Sequence, residues 1–381
     1  MKPGNFPHTS SQIGFAFRKI VIVVLFAAGI VSCQSGPATP RPTMIVLPSS
    51  TPIPSTTPIP SATSTPAPES EPPLSPYTQT GLRTHDYRFG KVKLGAVLKM
   101  TDSYVRYAIT YPSDGLTISG VMQVPVGSGP FPVIIMNHGF FLRGEYAPGA
   151  GTERAAEFLS RHGYLTIAPD YRTWGESDDG VSIYYSGPAI DVINLLNALP
   201  SIPKATPSRV GAWGHSMGGG ITLKVLTLDP RIKAAVLYSP ISADMADTVE
   251  RWGLGCIGLS GPGLDTCPSA DVLPPDVSPE LVQAYRDSAA DPDLLRQFSP
   301  INYLENIVAP LQIHVGLSDG KAISETPPGW ALKMDQALLE AGRDVEYYTY
   351  IGQGHSFQGE DWDLLMLRTV EFFNKWVKGG G

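Results

Sequence analysis

Gly214-His215-Ser216-Met217-Gly218 is the stretch that decides the fold. It follows a short apolar run, Val210-Gly211-Ala212-Trp213. It continues through Gly219 and Gly220 into an amphipathic stretch from Ile221 to Leu228. That order predicts a buried strand, a sharp turn and a helix, the setting in which a G-x-S-x-G pattern presents its serine. The turn is so tight that side chains at 214 and 218 would collide, and glycine accepts both the crowding and the strained dihedrals. Ser216 is then expected at the top of a parallel sheet above a helix N-terminus, where free N–H groups and the helix dipole favour developing negative charge. The pattern makes Ser216 the expected nucleophile. A serine in a glycine-rich turn with no chemistry is the alternative, and suitable partners downstream decide between them.

Outward from this turn, apolar runs alternate with helical patterns. Val133 to Met136, Leu165 to Ala168, Val210 to Trp213, Ala234 to Leu237 and Leu311 to Val315 read as buried parallel strands. Tyr104 to Tyr111, Val121 to Val124 and Val345 to Ile351 read as further strands. Helices are expected over Thr152 to Arg161, Pro188 to Leu199, Met217 to Leu228, Trp330 to Ala341 and Trp362 to Val377, with Gly342 as a C-terminal cap. The alternation predicts an α/β domain, a mainly parallel sheet with helices on both faces.

One stretch breaks the rhythm. From about residue 241 to 298 no parallel strand is legible, while Ser278-Pro279-Glu280 and Asp291-Pro292-Asp293 carry a capping side chain followed by proline at the first helical position. This predicts a helical and loop cap inserted after the strand ending at Tyr238. Cys256 and Cys267 fall inside it, and in an exported protein they are expected to pair, for a gain of roughly 2–3 kcal/mol. Two cysteines alone do not make a metal site.

The front of the chain reads as an address. Arg18 and Lys19 precede an apolar run from Ile20 to Val31, which has the length of a signal-peptide core and is short for a bilayer span. Ile30-Val31-Ser32-Cys33 resembles the bacterial lipobox. That resemblance implies a signal peptide over residues 1–32 and a lipid on Cys33, with the rest exported and held to the cell membrane. Residues 33–76 are dominated by Pro, Ser and Thr, a composition expected to stay extended and solvated as a spacer. Residues 77–381, roughly 300 in number, suit one α/β domain with an insertion. Hydrophobic residues make up 42% of the chain, ample for a core, and the net charge of −7 argues against nucleic acid as a partner. Oligomeric state is not legible.

A serine hydroxyl needs a base. Among the seven histidines, His355 lies in Gly352-Gln353-Gly354-His355-Ser356-Phe357, between the last strand and the last helix, where a glycine-rich loop can bring an imidazole to the sheet edge. His314, within an apolar strand, reads as a core residue. The imidazole needs an acid to fix its tautomer. Asp319 follows the strand Leu311 to Val315 through Gly316-Leu317-Ser318 and is the expected acid, with Asp244 as runner-up. The oxyanion donors are expected to be the N–H groups of Met217 and of Phe140 in Asn137-His138-Gly139-Phe140, with His138 orienting that loop. Phe141, Tyr171, Trp174 and Trp252 are expected to line the substrate pocket. No metal-binding or dinucleotide motif is present, and no cofactor is expected.

From Phe131 to the C-terminus the chain resembles the α/β-hydrolase fold. Ser299-Pro300-Ile301-Asn302-Tyr303-Leu304, the turn around Asp319, Gly354-His355-Ser356-Phe357 and Asp170-Tyr171-Arg172-Thr173-Trp174-Gly175-Glu176-Ser177 are similar to the catalytic domain of the prolyl-oligopeptidase family. The resemblance implies a serine hydrolase with the triad order Ser216, Asp319, His355. Family peptidases carry an N-terminal β-propeller, and many place a tyrosine where His138 stands. This chain shows neither feature, which turns the expectation toward a carboxylesterase for small or medium acyl esters. A peptidase for short peptides is the alternative, and a non-catalytic surface binding protein is a third reading, disfavoured by the complete triad.

Overall fold

The computed structural model describes residues 71–257, 269 and 271–379. The expected signal peptide, Cys33, the spacer up to residue 70, Cys267 and the side chain of Cys256 lie outside the described residues, and with them the expected disulfide. The strands are β1 (Lys93–Met100), β2 (Tyr104–Ser113), β3 (Leu116–Pro125), β4 (Phe131–Asn137), β5 (Leu165–Pro169), β6 (Ala205–His215), β7 (Ile232–Tyr238), β8 (Cys256–Ile257), β9 (Val272–Leu273), β10 (Leu311–Gly316) and β11 (Val345–Tyr350). The helices are α1 (Gln79–Thr84), α2 (Glu153–Arg161), α3 (Ser186–Ala198), α4 (Met217–Leu228), α5 (Met245–Trp252), α6 (Pro279–Ser288), α7 (Pro292–Phe298), α8 (Pro328–Glu340) and α9 (Gly359–Phe373).

Nine strands form one sheet in the order β1-β2-β3-β5-β4-β6-β7-β10-β11. β1, β2, β3 and β5 pair antiparallel in turn. From β5 to β11 every neighbouring pair is parallel. The chain steps one way from β4 to β5 and the other way from β6 to β7. The crevice between the ends of β4 and β6 is therefore the switch point of the sheet, where open α/β sheets bind ligands.

Side chains of the central strands alternate between two cores. Val133 and Ile135 of β4 join Ala212 of β6 under α3, α4 and α8. Ile134 and Met136 join Trp213 on the opposite face, under α2 and α9. Burial on both faces explains the unbroken apolar runs of these strands. β1 shows the reverse: every residue is exposed, so this edge strand carries no alternation to read. The ordered domain is already under way before Tyr77, since Leu74 is buried in the core and Ser75–Tyr77 forms a turn of 3-10 helix.

The insertion between β7 and β10 holds α5, the short β8–β9 pair, α6 and α7. Ser278 and Asp291 cap α6 and α7 by accepting from the N–H groups of Leu281 and Leu294, with proline in the first turn of each helix. The cap is tied to the sheet through a buried lysine: Lys224 Nζ on α4 donates to the Phe298 carbonyl at the end of α7, 3.0 Å away. Burial pushes the Lys224 pKa down to about 7, against a smaller opposing pull from Asp271. Below that pH both folded and unfolded states hold the proton, and the fold bears the cost of a buried cation. Between about 7 and the unfolded value near 10.4, the unfolded chain binds more protons, so stability rises with pH. Lys224→Met should therefore raise the melting temperature relative to wild type most at pH 6 and progressively less towards pH 10. A gap that does not change with pH would show that Lys224 stays charged in the folded protein.

Candidate active site

Ser216 sits between β6 and α4 at φ 56° and ψ −121°, a backbone conformation that costs about 1–3 kcal/mol for a residue other than glycine. Its surroundings hold it there. Its N–H donates to the Tyr238 carbonyl at 2.9 Å, and its carbonyl accepts from Gly219 and Ile241 at 3.0 and 3.1 Å. Both glycines of the motif are sterically required. A Cβ at 214 would lie 2.2 Å from the Gly218 carbonyl oxygen, and one at 218 would lie 2.0 Å from that of Asn137. Thr222 locks the same junction, donating to the Gly218 carbonyl and accepting from Asn137 Nδ2, both at 2.7 Å.

Asp319 and His355 come from the loops after β10 and β11, the last two strands of the sheet, beyond β7. His355 Nδ1 lies 3.0 Å from each carboxylate oxygen of Asp319. Since carboxylate oxygens only accept, Nδ1 carries the proton, which leaves Nε2 as the basic nitrogen. Burial pushes the Asp319 pKa up, but hydrogen bonding to His355, its charge, the Gly320 N–H and the Thr326 hydroxyl together hold it below the usual carboxylate range. Thr326 Oγ1 is 3.0 Å from both Asp319 Oδ2 and the Ser239 carbonyl. The two loops are zipped together by Ser318 N–H donating to the Gln353 carbonyl at 2.9 Å. Asp244, the runner-up acid, is occupied elsewhere: it caps α5 and pairs with Lys333 at 2.8 Å.

His215 is the residue that sequence reasoning passed over. Its ring lies 4.8 Å from that of His355, and its Nε2 is 2.9 Å from the His355 carbonyl. A carbonyl accepts, so Nε2 carries the proton. Burial, reinforced by the neighbouring His355, pushes its pKa down to about 3 and keeps it neutral. The residue that precedes Ser216 thus holds the backbone of His355. Its place inside the pentapeptide was the available signal.

On the other side of Ser216, β4 runs into Asn137-His138-Gly139-Phe140. A Cβ on Gly139 would stand 3.2 Å from Ser216 Cβ, so this loop lies directly beside the nucleophile. His138 orients it. Fully buried, it stacks on Tyr171 at 4.4 Å, and its Nδ1 is 2.7 Å from the Gly139 carbonyl. Its Nε2 is 3.1 Å from the Asp170 carbonyl, and a neutral imidazole donates to only one of the two carbonyls. Met217 opens α4, and its N–H is among those a helix leaves without an internal acceptor.

Phe140, Ser216 and Met217 line a cavity of about 440 Å³, walled also by Leu142, Ile241 and Trp252. Of the four expected wall residues, Trp252 is there. The other three pack around His138 instead. Tyr171 bonds to Asn137 Oδ1, Trp174 Nε1 donates to the Phe141 carbonyl, and the Phe141 ring faces those of His138 and Tyr146. They pack around the loop after β4 and are not among the residues that line the cavity. Among the described residues, no group of three or more His, Cys, Asp or Glu side chains is placed to hold a metal ion.

Residues 130–304 match the family described as serine aminopeptidase, S33. The structure is similar to acetyl xylan esterase 1 from Thermoanaerobacterium sp. JW/SL YS485, with a TM-score of 0.55 at 17% identity over 78% of this chain and 93% of that one. The chain has the α/β-hydrolase fold. Another protein of this fold, the acylaminoacyl peptidase of Pyrococcus horikoshii, aligns with a TM-score of 0.53 at 20% identity over 73% of this chain and 42% of that one. In sequence, 135 residues are 26% identical to esterase FrsA of Shigella boydii, covering 33% of this chain and 30% of that protein. This α/β-hydrolase chain spans half or less of the length of the curated relatives it matches.

Thr326→Val keeps the shape of the side chain and removes the hydroxyl that Asp319 and the Ser239 carbonyl share. It should lower kcat on an ester substrate roughly tenfold with little change in KM, since an acid–imidazole pair acts on the transition state. An unchanged kcat would show that the His355–Asp319 pair is held well enough without it.

Proposed function

We propose that this α/β-hydrolase chain is a serine hydrolase that cleaves carboxylic esters of small or medium acyl size. One observation carries the reading: an Asp319–His355 pair whose backbone is held by His215, the residue before a strained Ser216 that lines a largely apolar cavity. In the proposed reaction Ser216 Oγ attacks the ester carbonyl while His355 Nε2 takes its proton. The N–H groups of Met217 and Phe140 stabilise the oxyanion, and His355 returns the proton to the leaving alcohol. Water, activated by the same imidazole, then releases the acid from the acyl-enzyme. Every step uses side-chain or backbone groups of the chain, so the chemistry needs no cofactor.

The esterase relatives support ester substrates. The match to a serine aminopeptidase family and the likeness to an acylaminoacyl peptidase favour short peptides as the second reading. A panel of p-nitrophenyl esters of graded acyl length, run beside aminoacyl and peptidyl p-nitroanilides, separates the two. Esters should turn over and anilides should not. Ser216→Ala should reduce ester turnover by about 10⁴-fold or more while the protein melts as wild type. Near-wild-type activity in that variant would remove the triad, and efficient anilide cleavage would make the chain a peptidase.

We further propose that Cys33 is the lipidated N-terminus of an exported protein, on the basis of Ile30-Val31-Ser32-Cys33 behind an apolar run. Metabolic labelling with a fatty-acid analogue should mark the wild-type chain and not Cys33→Ala. Equal labelling of both would overturn the anchor.

A further inference from the structure

The cavity beside Ser216 holds a charged side chain that the hydrolytic reaction does not use. Its walls are largely apolar, yet Arg251, from the last turn of α5, also lines it. Three of the five guanidinium N–H groups are committed to backbone carbonyls: Nε to Ile323 at 3.2 Å, and Nη2 to Ala322 and Gly320 at 2.7 and 3.2 Å. The two N–H groups of Nη1 have no acceptor among the described residues, and the residue is half-buried.

Nor does a carboxylate of the described residues neutralise this cation. Asp247, one turn earlier on the same helix, is bound to Lys333 at 3.0 Å, as is Asp244 at 2.8 Å. Glu325, on the loop that Arg251 grips, accepts from the Ala322 N–H. The guanidinium is therefore held rigidly by neutral carbonyls, beside Trp330 at 5.9 Å, and its charge is left to the cavity. Bonds to carbonyls fix an arginine without cancelling its charge. A fixed and partly desolvated guanidinium is a strong partner for a carboxylate oxygen.

We propose that Arg251 selects substrates, and that the substrates are esters carrying a carboxylate on the portion that enters the cavity. The reading rests on the serine hydrolase proposed above. Apolar walls take the hydrocarbon part, and Nη1 meets the anionic end away from the scissile bond. Arg251 takes no part in bond making.

The test compares matched ester pairs on the full-length protein. In one series the acyl chain differs, with p-nitrophenyl monoesters of adipic and suberic acid against p-nitrophenyl hexanoate and octanoate. In the other the leaving group differs, with the acetyl ester of a hydroxyphenylalkanoic acid against that of its neutral amide. Wild type should favour the carboxylate in at least one series by about tenfold or more in kcat/KM. Arg251→Gln should abolish that preference, read as the ratio of carboxylate to neutral ester whatever the variant costs in absolute turnover, and Arg251→Lys should keep part of it. Should Arg251→Gln not fold, the wild-type preference itself must shrink as salt is raised from about 0.05 to 0.5 M, as a charge-based contact requires. Turnover of neutral esters with no carboxylate preference overturns the proposal and leaves the hydrolase standing. So does a preference that survives Arg251→Gln, or one in the wild type that high salt leaves unchanged. Absence of Ser216-dependent turnover on every ester would instead overturn the hydrolase reading itself.

Discussion

The site depends on a close approach of backbones. Gly218 lies so near the end of β4 that a methyl group there would meet the carbonyls of both Asn137 and His138, at 2.0 and 2.6 Å. Only this proximity lets the first turn of α4 and the loop after β4 address one point in space, which an oxyanion site made of two backbone N–H groups requires. It also forces the strand-to-helix turn to be abrupt, and the abrupt turn places Ser216 at positive φ. Nucleophile and expected oxyanion donors are thus consequences of one packing constraint at the switch point of the sheet. Thr222 and Asn137, bonded across the junction, keep it from relaxing.

A second constraint joins this elbow to the base. His215 donates to the backbone carbonyl of His355, so the imidazole is positioned through its main chain by the nucleophile's own neighbour. A charged His215 would oppose the imidazolium that the proposed reaction forms on His355, since their rings are 4.8 Å apart. Burial resolves the conflict by keeping His215 neutral. Asp319 faces the opposite demand, to stay ionised in a largely apolar setting. Four separate sources, the His355 hydrogen bond, its charge, the Gly320 N–H and the Thr326 hydroxyl, together outweigh its desolvation.

Much of this was legible in the chain. Strands buried on both faces announce themselves as apolar runs, and α4 begins and ends where the pattern after Ser216 places it. The order of Ser216, Asp319 and His355 follows the sheet, because each residue sits on the loop after a central or following strand. The illegible parts share a physical cause. β1 is open on both faces and has no pattern. Thr326 lies in an irregular loop, where nothing local distinguishes a threonine that serves a carboxylate from one that caps a turn. Aromatic residues near the motif suggested pocket walls, yet Tyr171 and Trp174 are almost wholly buried against the loop after β4. Aromaticity and proximity in sequence give no side of a loop, and the direction of the chain leaving β5 decides it.

The cap and the catalytic acid are not independent parts. Arg251 and Trp252, at the end of α5, both donate to carbonyls of the loop that follows Asp319. The same two side chains line the cavity beside Ser216. A change in the cap that moves α5 must therefore pull on the loop bearing Asp319 as well as reshape the pocket. Asp319 lies 3.0 Å from the imidazole, so displacement of that loop also reaches His355. Exchanging an insertion above a fixed sheet is one way to vary specificity on a constant scaffold. Here such an exchange is limited at one edge, because the segment 320–323, which carries the wall residue Ile323 and is bonded to Arg251 and Trp252, follows Asp319 directly.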